Sequence, residues 1–176
     1  TPRKLFIERG DSARNRQADG QSAFKDMLFR HGFTPFVLED HSPLEQIKIV
    51  SGADTVVGFH GAGFTHLLFA KESATWIEIG TLQSLRERWP DFWHLADVSG
   101  VRYRKYCFDY AKDDPFEYPN FAKDSIVAPQ ITSRGLERLD TDLGRLTDET
   151  SEAPERLAYF PSTATTLSNQ NTSPSP

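Results

Sequence analysis

From residue 4 to about residue 108, short uncharged apolar runs alternate with segments whose apolar residues recur every three to four positions. That alternation is the mark of βαβ units, in which buried parallel strands take turns with covering helices. The strand candidates are Leu5 to Ile7, Phe36 to Leu38, Thr55 to Gly58, Thr75 to Ile79 and Arg102 to Phe108. Thr55-Val56-Val57-Gly58 is β-branched and uncharged throughout, as expected of a central strand covered on both faces. Between the strands, residues 21 to 31 set Phe24, Leu28 and His31 at helical spacing beside Met27, and Gly32 supplies a stop.

The helix start at Ser42 is the most sharply written boundary. Ser42 is placed to cap, Pro43 occupies the first helical position, and Glu45 stands three residues after the cap, which together spell a capping box. Leu44, Ile47 and Ile49 or Val50 would form its apolar face. A turn and then a helix are expected over Phe59 to Phe69, a short helix over Trp89 to Leu95, and a last one over Leu136 to Leu146. Past Thr147 the chain turns to Ser, Thr, Pro, Asn and Glu, too polar to offset the chain entropy lost on ordering. The expected organisation is therefore one α/β domain over 1–147, a Rossmann-like parallel sheet with flanking helices, and a disordered tail over 148–176. Asn171-Thr172-Ser173 in that tail is a glycosylation triplet, a short and weak signal.

Composition narrows the function. The formal net charge is -5 and the 20 Lys and Arg are scattered, so no basic stripe tracks a phosphate backbone and nucleic-acid binding is disfavoured. No apolar run approaches the roughly 20 residues of a membrane span, and no signal peptide is legible. The chain opens on Thr1-Pro2-Arg3-Lys4 without Met, which reads as part of something longer with a missing N-terminal half. The single Cys107 reads as a packed strand residue. No Cys/His/Asp grouping has metal-site spacing, so no structural metal is expected.

The chemistry concentrates in Gly58-Phe59-His60-Gly61-Ala62-Gly63-Phe64-Thr65-His66, where a buried strand ends and a helix is expected. Ligands of open α/β sheets bind at that end of the strands. Small residues let the backbone approach closely, and amides at a helix start favour a phosphate. His60 and Thr65 would add side-chain donors. The blander alternative is that Gly61 and Gly63 serve only a tight turn and close packing, with His60 bonded structurally. Arg9, Arg14 and Arg16 follow the first strand and could reach a diphosphate from the opposite side, although solvated loop arginines fit the same pattern. Glu78, near the end of the next strand, is placed to accept from ribose hydroxyls or simply to cap a loop. His31 and His41 read as surface or packing residues.

The stretch GFTPFVLEDHSPLEQIKIVSGADTVVGFHGAGFTHLLF followed by ATWIEI resembles the core of glycosyltransferase family 61 over roughly residues 4 to 110. The family pattern has an EQ pair, an HGAGLTNLLF-like turn, and a strand ending in Glu. This chain has Glu8-Arg9 where Ser-Arg is usual, Asp19-Gly20 near the position of an Asn-Glu pair, and His66 in place of Asn. The resemblance implies an inverting, metal-independent enzyme of GT-B type that takes xylose or N-acetylglucosamine from a UDP-sugar donor. It implies glycan or glycoprotein acceptors and a place in the Golgi or endoplasmic reticulum lumen. By position, Arg9, His60, Gly61, Ala62, Gly63, Thr65 and Glu78 would line the nucleotide side, with Arg9 and His60 catalytic. The chain would be the donor-binding C-terminal half, and no cofactor beyond the donor is implied. Two other classes remain open on sequence. One is a non-catalytic or truncated nucleotide-binding domain. The other is a hydrolase, since HGAG is similar to an HGGG oxyanion motif, although no G-x-S-x-G elbow accompanies it.

Overall fold

The computed structural model describes residues 2–8, 10, 21–80, 90–107 and 131–149. Among the described residues, five strands form one parallel sheet: β1 (Lys4–Glu8), β2 (Thr34–Val37), β3 (Thr55–Phe59), β4 (Thr75–Gly80) and β5 (Arg102–Cys107). Their order across the sheet is β2-β1-β3-β4-β5. The described α-helices are α1 (Gln21–Arg30), α2 (Pro43–Gly52), α3 (Trp93–Ser99) and α4 (Ser133–Glu149), with 3-10 helices at Leu38–Asp40 and Ala62–Phe69.

Side chains alternate across each strand, so the sheet carries two apolar layers. On one face Phe6, Val57, Ile77 and Ile79 pack with Phe24, Met27 and Leu28 of α1 and with Leu139, Leu143 and Leu146 of α4. On the other, Leu5, Ile7, Val56 and Trp76 pack with Val50 of α2, Phe64 and Leu67 of the longer 3-10 helix, and Ala96 of α3. Both faces of β3 and β4 are covered, which is why their sequences lack a polar alternation.

Ser42 caps α2 as expected. Its side chain accepts from the Glu45 amide, while the Glu45 carboxylate accepts from the Ser42 amide at 2.9 Å. Gly32 stands at φ 79 just after α1, the left-handed value that glycine adopts without steric cost. Several expectations need correction. Leu44, expected on the apolar face of α2, is 79% exposed, and the helix is anchored by Val50 instead. The expected helix at Trp89 to Leu95 forms over Trp93–Ser99, where Ala96 reaches the sheet and Gly100 at φ 66 ends it. α4 runs past the expected boundary at 147 to Glu149, its leucines at 136, 139, 143 and 146 following a three-four helical spacing. Of the tail expected over 148–176, residues 150–176 lie outside the described residues.

Polar contacts also tie α4 to the turn after α1 and to β5. His31 Nε2 lies 2.6 Å from Asp140 Oδ1, and the Tyr106 hydroxyl donates to Asp142 Oδ2. Burial, then that hydrogen bond and the Asp142 charge, push the Tyr106 phenol from 10.0 up to about 12. A raised folded value means stability fully present below pH 10 and lost as pH rises through 12. Denaturation profiles over that window should therefore show a decline in the wild type that Tyr106→Phe removes. Superimposable declines would mean that this contact is not made in solution.

Candidate functional site

In the order β2-β1-β3-β4-β5, β1 connects toward one edge of the sheet and β3 toward the other. The carboxyl ends of β1 and β3 therefore flank the topological switch point, where adjacent connections diverge and leave a crevice. The turn His60-Gly61-Ala62-Gly63 leaves β3 at that point. It leads into the expected helix, which is of 3-10 type, opened by the Phe64 amide donating to the Gly61 carbonyl at 3.0 Å. With three residues per turn, side chains three apart eclipse, so Phe64 and Leu67 both face the sheet and are fully buried. The amides of Ala62 and Gly63 precede the first hydrogen bond of that helix and have no carbonyl of the same helix to pair with.

Close packing fixes this turn. A Cβ at Gly63 would lie 2.8 Å from Leu38 Cδ1 and 3.4 Å from Ile7 Cγ2. At Gly58 it would lie 2.9 Å from Phe64 Cε2 and 3.3 Å from the Ile7 carbonyl oxygen. The bare Gly58 thus lets the Phe64 ring settle on the sheet, edge-on to Trp76 at 5.4 Å. On the outer side, the Gln46 amide donates to the carbonyls of Leu38 at 2.7 Å and His41 at 2.9 Å, which turns its oxygen toward His66 Nε2 at 2.8 Å. Gln46 thereby fastens the segment after β2 to the helix after the turn. His41 itself stacks against Phe36 with centroids 4.7 Å apart, a packing role.

The register places Glu78 of β4 opposite Gly58 on one side and Lys105 of β5 on the other. Glu78 is fully buried. Its Oε1 lies 2.6 Å from His60 Nδ1 and 3.0 Å from Lys105 Nζ, and its Oε2 accepts from the Tyr103 hydroxyl. Burial works to raise its pKa. The hydrogen bonds from His60 and Tyr103 and the Lys105 charge outweigh burial and hold the carboxyl below its ordinary 4.5. His60 is further located by its own amide, which donates to the Ile79 carbonyl at 2.8 Å, and by the Phe92 ring at 5.4 Å. Its Nε2 stands 3.9 Å from Asp91 Oδ2.

A strand-borne turn of this composition at the switch point is matched by sequence comparison. The family model for glycosyltransferase 61 covers residues 1–77, from β1 through the turn into β4. The match to that family is confined to residues 1–77. Over 60 residues the chain is 37% identical to an EGF domain-specific O-linked N-acetylglucosamine transferase of Xenopus laevis, a stretch amounting to 34% of this chain and 11% of that protein. The matched stretch thus spans about a tenth of the relative's length. In fold, the chain is similar to the crystal structure of a flavodoxin-like domain from Synechococcus sp., with TM-score 0.51, 14% identity, and coverage of 83% of this chain and 99% of that one. That likeness agrees with the strand order and bears on the fold alone.

The matched segment contains the whole turn, and the structure sets its residues beside elements that lie beyond that segment. His60, Gly61, Ala62 and Gly63 sit together at the end of β3. The Thr65 hydroxyl donates within the turn to the Ala62 carbonyl at 2.7 Å. Glu78, expected to meet ribose hydroxyls, has no accessible surface and gives its oxygens to three protein donors. Arg9, Arg14 and Arg16 lie outside the described residues. Their described neighbour Glu8 is paired with Lys25 of α1, and the Gly10 amide donates to Glu39 Oε2 at 3.0 Å. Sequence reasoning missed Tyr103, Lys105 and Asp91. The alternation in Arg102-Tyr103-Arg104-Lys105 puts Tyr103 and Lys105 on one strand face, but only the neighbouring strand reveals which face is inside.

Proposed function

We propose that this chain is the nucleotide-sugar-binding part of an inverting, metal-independent glycosyltransferase. The observation that carries this reading is the position of the family 61 turn, His60 to Gly63, at the carboxyl end of β3 beside β1. The donor would be a UDP-sugar of the xylose or N-acetylglucosamine class, and the acceptor a glycan or glycoprotein in the Golgi or endoplasmic reticulum lumen. The amides of Ala62 and Gly63 would face the diphosphate, with His60 beside them and Arg9, the residue after Glu8 in sequence, as a further donor.

In the proposed reaction, an acceptor oxygen bonds to the anomeric carbon as the bond from that carbon to the β-phosphate oxygen breaks. The acceptor proton passes to a base on the acceptor side, and negative charge builds on the departing UDP. Fixed donors aimed at that charge are what this turn can supply, since they need no reorganisation during the reaction. Thermal denaturation of the full-length protein with a panel of nucleotide sugars tests the reading. A ligand at 100 times its Kd adds about 2.7 kcal/mol to stability. UDP-sugars are expected to raise Tm by several degrees, with GDP-sugars inert. A flat response across the panel would overturn the proposal.

A further inference from the structure

We propose that Glu78 is a positioning residue: through Nδ1 of His60 it determines which edge of that imidazole faces the switch point, and it does not touch the nucleotide itself. The inference rests on the reading above only in placing His60 at the ligand. The placement of Glu78 stands on geometry alone.

An ionised carboxylate only accepts hydrogen bonds. With Lys105 and Tyr103 supplying protons from β5, the short contact to His60 at 2.6 Å requires that Nδ1 carry a hydrogen as well. The balance of neighbours that keeps Glu78 below the ordinary carboxyl range agrees with that assignment. One ring edge is then committed to a fully buried group. The His60 amide bond to Ile79 and the Phe92 ring restrict how the imidazole can turn. Nε2 lies on the opposite edge, 3.9 Å from Asp91 Oδ2. Histidines that act on a ligand through one nitrogen are commonly oriented by a carboxylate on the other, because that bond sets both tautomer and ring plane. Ribose hydroxyls have no route to Glu78, which sits beneath the turn with no accessible surface.

The test joins a spectroscopic readout to a binding readout. In protein labelled with 15N-histidine, the five histidines are resolved and His60 is assigned from its absence in His60→Gln. Wild type is expected to carry a hydrogen on His60 Nδ1. The paired variant Glu78→Met with Lys105→Met replaces the buried ion pair by apolar groups of similar length, an exchange that folds often tolerate. It should lose the Nδ1–H signature, whereas Glu78→Gln, which keeps an acceptor oxygen, should retain it. In the full-length protein the paired variant should bind UDP about 10-fold more weakly, about 1.4 kcal/mol. The ratio of affinities for UDP and 2′-deoxy-UDP should stay at the wild-type value in both variants. A bare Nδ1 on wild-type His60 would overturn the proposal, and so would loss of the UDP to 2′-deoxy-UDP discrimination in Glu78→Gln. If the paired variant does not fold, the wild-type tautomer and the Glu78→Gln ratio still decide. If no nucleotide binds at all, the tautomer result stands alone and the functional reading is what fails.

Discussion

Glu78→Ala is expected to lower the unfolding free energy by about 3–5 kcal/mol, the usual loss when one member of a buried charged pair is removed. Lys105, with its side chain only 6% exposed, loses the carboxylate 3.0 Å away, and Tyr103 and His60 lose the same acceptor. Urea denaturation at neutral pH would show this as a lower midpoint at unchanged slope. The pH dependence has a definite sign. Because the folded pKa lies below 4.5, the carboxylate contributes stability in full above that value and loses it as pH falls through the lower folded value. The acid limb of the stability curve should therefore be steeper in wild type than in Glu78→Ala. Equal midpoints at neutral pH would show that the four-residue cluster adds nothing to the fold.

The second large effect is on binding. Gly61→Val is expected to weaken UDP binding at least about 100-fold, or about 2.8 kcal/mol, while leaving the fold in place. Gly61 has φ 165 and ψ 175, extended backbone that a β-branched residue adopts readily, so valine brings no local strain. The side chain would instead stand beside the amides of Ala62 and Gly63, where the diphosphate is proposed to sit. Gly63 is a poorer choice for this experiment, since any Cβ there collides with Leu38 and an effect on binding would be mixed with overpacking. Calorimetry on the full-length variant measures the loss. Wild-type affinity together with wild-type Tm would remove the turn from the ligand site.

The turn shows how far local pattern carries. Glycines at 58, 61 and 63 mark a place where backbone must come close to something, and the sequence leaves open whether that is a ligand or a neighbouring side chain. The structure divides them. Gly58 and Gly63 make room for Phe64, Ile7 and Leu38, whereas Gly61 opens the 3-10 helix. The packing reading of the motif thus holds at Gly63. The helix type was beyond reach because an apolar run such as Phe64-Thr65-His66-Leu67-Leu68-Phe69 fits three or 3.6 residues per turn, and only the sheet beneath decides which pair of side chains lies flat. Leu44 makes the same point from the opposite direction. It has the right spacing for an apolar face, yet the tertiary structure leaves it in solvent.

Local pattern alone determined that this is an α/β chain with its elements in their observed order, that α2 is capped at Ser42, and that glycines crowd the turn after β3. Those properties depend on periodicity, capping and β-branching within a few residues of each position, so they are present before the chain folds. The sheet order, the switch point beside β1, and the commitment of Glu78 to His60, Tyr103 and Lys105 belong to the tertiary structure. His60 is 18 residues from Glu78 and Tyr103 is 25, distances along the chain that no local signal spans. A carboxylate near the end of a strand looks the same in sequence whether it meets a ligand or a buried lysine; the packing of β5 against β4 makes the difference.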